Sequence, residues 1–363
     1  MFSVRIVVAI FATATGLLAS SSAVSAAENP TTKPTRIPFV RVFLSAPADV
    51  DFLHATNHQL ALYGLPPRPD PTHDPLKFRT WMALVSARTV EASLTITNHY
   101  NSPAADLRPL QRPAVNSVTS NNWSGAVDID GANVFAGGAG TMITAQWRVP
   151  IPRCDRDTNT FFDSSQWVGI DGWRSNDVLQ AGSAVNILCG DNIIGHGLVT
   201  HDPIDSYSWI EWYPGPEMRT NLIFHIGDTV TSTVLYSPTA TSQTLILYNA
   251  TRNERASFSI SPPSGTQLVG NAIEWVMERP LVNNAIAQLP LFNAFFFDDC
   301  MAERSSPGAA EPVRYYPGEP ATGDAVLVRM LDDSGVSQVF PGIGASGSTP
   351  DHYDTIHFGF FQN

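Results

Sequence analysis

From Ser120 to the C-terminus the chain is written in short alternating runs, and no stretch carries the long 3.6-period apolar stripe of a helix. Strand-like runs fall at Trp123–Ile129, Met142–Val149, Gln166–Ile170, Val178–Ser183, Trp209–Tyr213, Thr229–Tyr236, Thr244–Asn249, Ala256–Ile260, Ala272–Glu278, Ala294–Asp298, Ala325–Met330 and Thr355–Phe361. Gly, Pro, Asn and Asp punctuate them. Many short strands at such spacing predict an all-β unit, an antiparallel sandwich or barrel. No repeat of about 20–50 residues divides it, and a polar Gly/Pro-rich insertion at 303–323 precedes two further strands.

Side chains alternate across a strand, so each run sorts its residues onto two faces. Trp167, Gly169 and Asp171 share one face, opposite Val168 and Ile170. Trp209, Glu211 and Tyr213 share another, opposite Ile210 and Trp212, and Glu274, Val276 and Glu278 lie opposite Trp275 and Met277. A sheet with one oily face, and one face of carboxylates, an amide and large aromatics, suits the wall of a binding cleft.

The N-terminal third reads differently. Arg5, the apolar stretch Ile6–Ala19 and the small pair in Val24-Ser25-Ala26 form a cleavable secretory signal over residues 1–27. No later run approaches about 18 apolar residues, so no transmembrane helix is expected after signal removal. Residues 28–115 are proline-rich, with a docking-peptide character at Leu60–Pro69, a short helix at Ala83–Ser93 and a turn-rich linker from Asn101 to Pro113. They form either a small N-terminal domain or a propeptide, and the propeptide fits better: the stretch follows a signal and its charge opposes that of the next unit. Residues 28–114 hold 9 basic and 7 acidic side chains, whereas from residue 115 onward there are 11 arginines, no lysine and 26 Asp plus Glu, a net of −15. An acidic body excludes nucleic acid as the default partner and suits a protein that works in acid. Cys154, Cys189 and Cys300 permit one disulfide, with three possible pairings.

Several familiar machines are missing. There is no Gly-x-Ser-x-Gly elbow, no His-Glu-x-x-His helix and no phosphate-cradling loop. His196, His201 and Asp202 have no usual metal-ligand spacing, so neither a metal nor a cofactor is expected. What remains is a carboxylate and an amide. Glu278, beside the core positions Trp275 and Met277, is set to have a raised pKa and to take and return a proton. The Gln180 side chain stays neutral at any working pH and donates two N–H bonds, which suits it to hold an oxyanion. The plain alternatives are an edge glutamine and a glutamate paired with Arg279.

These segments resemble the glutamic peptidases (eqolisins), secreted acid endopeptidases built on a Gln/Glu pair. The resemblance spans roughly residues 120–300. It begins at Asn122-Trp123-Ser124-Gly125-Ala126 and continues through Trp167-Val168-Gly169-Ile170-Asp171-Gly172 and Leu179-Gln180-Ala181-Gly182. Trp209-Ile210-Glu211-Trp212-Tyr213-Pro214, Gly227-Asp228 and Glu274-Trp275-Val276-Met277-Glu278 follow in order. The resemblance implies a β-sandwich of two large antiparallel sheets, of concanavalin-like or jelly-roll type, over residues 116–363. It implies Gln180 and Glu278 as catalytic residues, and Trp123, Trp167, Asp171, Trp209, Glu211 and Tyr213 as substrate-binding residues. It further implies a monomer that acts on polypeptides and is made with a signal and a propeptide as its own partner. The product is expected to be extracellular or periplasmic. Fungal members carry an acidic residue after the glutamate, where this chain has Arg279-Pro280. The charge split suggests that the prosegment covers the cleft at neutral pH and is lost in acid by self-cleavage between about Pro113 and Ser120. The rival reading is a carbohydrate-binding or glycoside-hydrolysing sandwich with Glu211 and Glu278 as paired carboxyls.

Overall fold

The structure, a computed structural model, describes residues 31–110, 116–154, 160–189, 193–194, 198–199, 204–292, 294–309, 311–319, 321, 323–345 and 353–360. The signal segment, His196, His201, Asp202 and part of the expected cleavage region lie outside the described residues. Among the described residues no helix is long and apolar enough to cross a membrane.

Two large antiparallel sheets face each other. The front sheet runs Met218–Thr220, Ile204–Tyr213, Val178–Cys189, Thr160–Ile170, Ala272–Glu278, Trp123–Ile129 and Asp324–Leu331 in spatial order. The back sheet runs Glu254–Ile260, Gln243–Asn249, Thr229–Tyr236, Gly140–Arg148 and Phe295–Ser305. Ser337–Gly344 and Thr355–Phe360 join the two along one edge. The β-sandwich expected from the sequence is the fold, although the strand-like runs underestimate several lengths, such as Thr160–Ile170 and Phe295–Ser305.

Alternation decides what each face buries. Val168, Ile170, Leu179, Ile210, Trp212, Ile273, Trp275 and Met277 point between the sheets, where they meet Ile143, Trp147, Val234, Leu245 and Phe258. The three indoles within this layer find acceptors: Trp275 Nε1 donates to the Thr144 carbonyl at 3.0 Å, Trp147 Nε1 to Ser183 Oγ at 2.9 Å and Trp212 Nε1 to Asp177 Oδ2 at 3.4 Å. The opposite face of the front sheet carries Trp123, Trp167, Tyr207, Trp209 and Val276 as a second apolar cluster. Gly182 is required there, because a Cβ would sit 2.0 Å from the Gln166 carbonyl and 2.7 Å from Trp167 Cβ.

Residues 31–110 do not form a separate domain; they wrap the sandwich. Val40–Phe43 adds to the back sheet beside Glu254–Ile260. Two helices, Asn57–Leu62 and Pro75–Ser86, cover the outside of that sheet at Ile246 and Tyr248. Lys77 reaches Glu303 at 2.5 Å, and Arg314 bonds both Asp74 and Glu303. Leu94–Ile96 then extends the front sheet next to Met218–Thr220, and His99–Tyr100 pairs with Leu281–Val282. The expected helix at Ala83–Ser93 is displaced toward the N-terminus. Pro75 opens it from the first helical position behind Asp74, where a missing N–H costs nothing, and the chain turns extended at Arg88–Thr89 to pair with Glu254 and Arg255. The stretch from Leu60 is half helical: Thr56 and Gln59 close a capping box and Gly64, at φ +63°, ends the turn.

Cys154 and Cys189 form a disulfide, and Cys300 is a buried free thiol. Thiol labelling is expected to find none under native conditions, one after denaturation and three after reduction. Breaking the bond releases a 35-residue separation, a loss of up to roughly 4 kcal/mol from loop closure. Three reactive thiols in the denatured, unreduced protein, or a label found on Cys154 or Cys189 in place of Cys300, would contradict the pairing.

Candidate active site

Gln180 and Glu278 sit on strands that flank Thr160–Ile170 on either side, Gln180 opposite Gly169 and Glu278 opposite Ser165. Strand geometry separates their backbones by about 10 Å across the sheet and ~13 Å along it. Two extended side chains bridge that span only with something between their tips, and a peptide unit of the chain itself lies there. Gln180 Nε2 donates to the Asn101 carbonyl at 2.5 Å, and the Ser102 N–H donates to Glu278 Oε1 at 2.9 Å. Asn101–Ser102 is one peptide bond, with its oxygen on the amide and its nitrogen on the acid. The linker expected from Asn101 therefore begins as a strap seated on the pair: Asn101 is buried, Ser102 to Ala105 are half-buried, and Asp106, Arg108 and Pro109 are exposed.

Glu278 is oriented from the sheet as well. Trp167 Nε1 donates to its Oε2 at 2.9 Å, and Asn122 Nδ2 approaches Oε1 at 3.4 Å. Trp123 stacks edge-on against Trp167, with centroids 4.9 Å apart, and its Nε1 donates to the Ser102 carbonyl at 2.9 Å. Burial is the main cause that raises the Glu278 pKa well above the usual glutamate value; the Ser102, Trp167 and Asn122 donors oppose it. Arg279 takes no part. It points to the other face and is bound by the carbonyls of Ala287, Asn121 and Leu331 and by Asp333.

A second carboxyl pair frames the Gln180 end. Glu211 Oε2 accepts from Gln180 Nε2 at 3.2 Å, from Asn101 N at 2.9 Å and from Asn101 Nδ2 at 3.1 Å. Glu217 accepts from Asn101 Nδ2 at 2.8 Å, from Thr97 Oγ1 at 2.9 Å and from the Tyr207 hydroxyl at 3.0 Å. Burial, then the charge of Glu217, raises Glu211 well above its usual value, and burial lifts Glu217 to about 7. His99, bonded to Tyr207 at 3.0 Å, is pushed down to about 4 by desolvation.

Of the expected binding residues, Trp123, Trp167 and Glu211 touch the strap or its partners directly. Trp209 belongs to the aromatic floor, and the half-buried Tyr213 packs against that floor. Asp171 is brought elsewhere: its carboxylate accepts from the Val269, Gly270 and Asn271 N–H groups and anchors that loop. Glu274, which shares a face with Glu278, meets neither Asn101 nor Ser102; its two oxygens are buried without a hydrogen-bond partner among the described residues. Asn122, Tyr207 and Glu217 lie outside the expected set. Asn122 opens a quoted motif, and Glu217 stands three residues beyond another, so position gave a signal that residue chemistry alone did not.

Glu217 ionises near 4.5 in the unfolded chain and near 7 in the fold. Its contribution to stability is therefore full below about 4.5 and lost as pH rises through about 7, a window worth roughly 3 kcal/mol. His99 acts in the opposite sense between about 4 and 6.5. In a full chain carrying Glu278→Gln to prevent self-digestion, adding Glu217→Gln is expected to flatten the fall in Tm between pH 4.5 and 7.5. An equally steep fall with Glu217→Gln present would contradict the assigned burial.

A family model described as the Peptidase A4 family matches residues 121–314. Among solved structures, scytalido-glutamic peptidase with a transition state analog inhibitor is similar at 23% identity and a TM-score of 0.47, over 66% of this chain and 98% of that one. SCP-B, a member of the eqolisin family in complex with a tripeptide Ala-Ile-His, is similar at 20% identity and a TM-score of 0.43, over 66% and 98%. Aspergilloglutamic peptidase from Aspergillus niger is similar at 20% identity and a TM-score of 0.40, over 55% and 99%. No curated protein matches the chain. The matched span takes in more than half of the sequence and every segment that meets Asn101 and Ser102 from the front sheet, and the chain belongs to the Peptidase A4 family, the glutamic peptidases or eqolisins.

Proposed function

We propose that this glutamic-type peptidase is exported as an inactive precursor and cuts polypeptides in acid, with Gln180 and Glu278 as its catalytic pair. The observation that carries the reading is the pair of hydrogen bonds these residues make to opposite ends of one peptide unit. Ionised Glu278 takes a proton from water as the water oxygen attacks the carbonyl carbon. The tetrahedral oxyanion forms where Gln180 Nε2–H already points. Protonated Glu278 then gives its proton to the nitrogen, the C–N bond breaks, and a carboxylic acid and an amine leave. Family membership displaces the carbohydrate reading. Residues 28–115 fit a propeptide, since Asn101 and Ser102 lie across Gln180 and Glu278 while the earlier described residues pack onto the outside of the back sheet.

Once the cleft opens, water reaches Glu278 and the burial that raises its pKa is relieved. Trp167 and Asn122 remain as donors to the carboxylate. Glu211 limits the other side of the pH range. Ionised, it would draw the Gln180 amide to itself and set a negative charge beside the forming oxyanion; neutral, it does neither. Burial under the strap and then the charge of Glu217 raise its pKa, and the Glu217 contribution does not depend on the strap.

Gln180→Ala is expected to lower kcat on a denatured polypeptide by roughly 10²–10³, and Glu278→Gln to abolish turnover, with unchanged circular dichroism in both. Glu278→Gln that turns over at near-normal rate would refute the pair. Glu211→Gln is expected to move the alkaline limb of kcat/KM to higher pH. An unmoved limb would remove Glu211 from the account.

A further inference from the structure

We infer that the Asn101–Ser102 bond is the first substrate of this enzyme, bound in the orientation for hydrolysis and cut within its own chain. The inference rests on the proposed roles of Gln180 and Glu278, and names the bond they act on first. Four observations carry it. The carbonyl oxygen lies on the oxyanion donor and the nitrogen on the acid that would protonate the leaving amine. The flanking chain is extended and held through its backbone, as peptide substrates are when they add to sheet edges: His99–Tyr100 pairs with Leu281–Val282 before the bond. After the bond, Ala104 N donates to the Gly172 carbonyl at 3.2 Å and Ala105 N to Asn122 Oδ1 at 2.8 Å. Finally, the Asn101 side chain is fully buried, its amide divided between Glu211 and Glu217.

The region expected from the sequence is presented differently. Ser117–Ser120 is a strand, parallel to Leu327–Met330 in the front sheet, and cutting it would first require unzipping that ladder. At Asn101–Ser102 the chain is already at the pair. Water gives a proton to the ionised fraction of Glu278 as its oxygen adds to the Asn101 carbonyl carbon; Glu278 passes that proton to the Ser102 nitrogen, the C–N bond breaks, and Asn101 is left with a carboxyl group and Ser102 with a free amine. The new N-terminal stretch, Ser102 to Leu110, then loses its covalent tie to Asn101 and keeps hydrogen bonds such as those of Ala104 N and Ala105 N.

The test follows the full chain, shifted from pH 7.5 to about pH 4, by intact mass and N-terminal sequencing, with a denatured polypeptide in the same tube. The expected first product begins at Ser102, at a fractional rate unchanged over a tenfold range of protein concentration. Ser102→Pro, which removes the N–H held by Glu278, is expected to abolish that terminus. A synthetic peptide of residues 94–106 is expected to be cut by the processed enzyme between Asn101 and Ser102. Digestion of the added polypeptide with a first cut elsewhere, or a fractional rate that rises with concentration, would overturn the inference and leave the peptidase reading standing. Failure to digest either the polypeptide or the peptide would overturn the reading beneath it.

Discussion

One peptide unit holds the two ends of this molecule's chemistry together. Gln180, Glu211, Glu217 and Glu278 are all fully buried on one sheet face. A buried polar group without a partner costs about 1–3 kcal/mol, and a charged one more. The donors come largely from the N-terminal strap: Asn101 supplies its N–H and side-chain amide, and Ser102 its N–H. The site and its cover are therefore complementary, and each explains the other's composition. A face of carboxylates under a chain of unpaired amides is stable; either alone would need water in its place.

The same burial sets how acid acts on the assembly, and two effects oppose each other. An N-terminal region with a slight positive balance on a body of net −15 loses attraction as carboxylates are neutralised. Exposed charges are screened beyond about 8–10 Å at moderate salt, however, and the buried ones much less. Under the strap, Glu211, Glu217 and Glu278 are all raised by desolvation, so their neutral forms favour the covered state. Only His99 pulls the other way. On the buried side three carboxyls act against one imidazole, so acid favours the seated strap there.

Much of this was legible in the chain because it rests on period-two patterning. Val168, Ile170, Trp275 and Met277 fall between the sheets, and Trp167, Glu211 and Glu278 on the cleft face, as alternation requires. Gln180 and Glu278 stood out by their place in the family motifs; residue chemistry alone left an edge glutamine and a glutamate paired with Arg279 as the plainer readings. The strap was not legible. Asn101 and Ser102 lie among turn-forming residues, and nothing local to them records that their amides meet Gln180 and Glu278, some 80 and 176 positions away. Pro75, one of the prolines of residues 28–115, opens a helix because it stands at the first helical position. Asp171, placed by alternation on the face of Trp167, serves a loop because the strand ends at Ile170 and Asp171 turns left-handed at φ +70°.

Hydrogen exchange at the Ser102 amide tests the central claim most directly. In the uncleaved Gln180→Ala chain at neutral pH, that proton is held by a buried carboxylate under the strap. The account predicts protection comparable to the central strand Val178–Cys189, and its loss when Glu278→Ala is added. Exchange at the rate of a free peptide, while the strand amides remain protected, would mean that the bond is not seated at the pair.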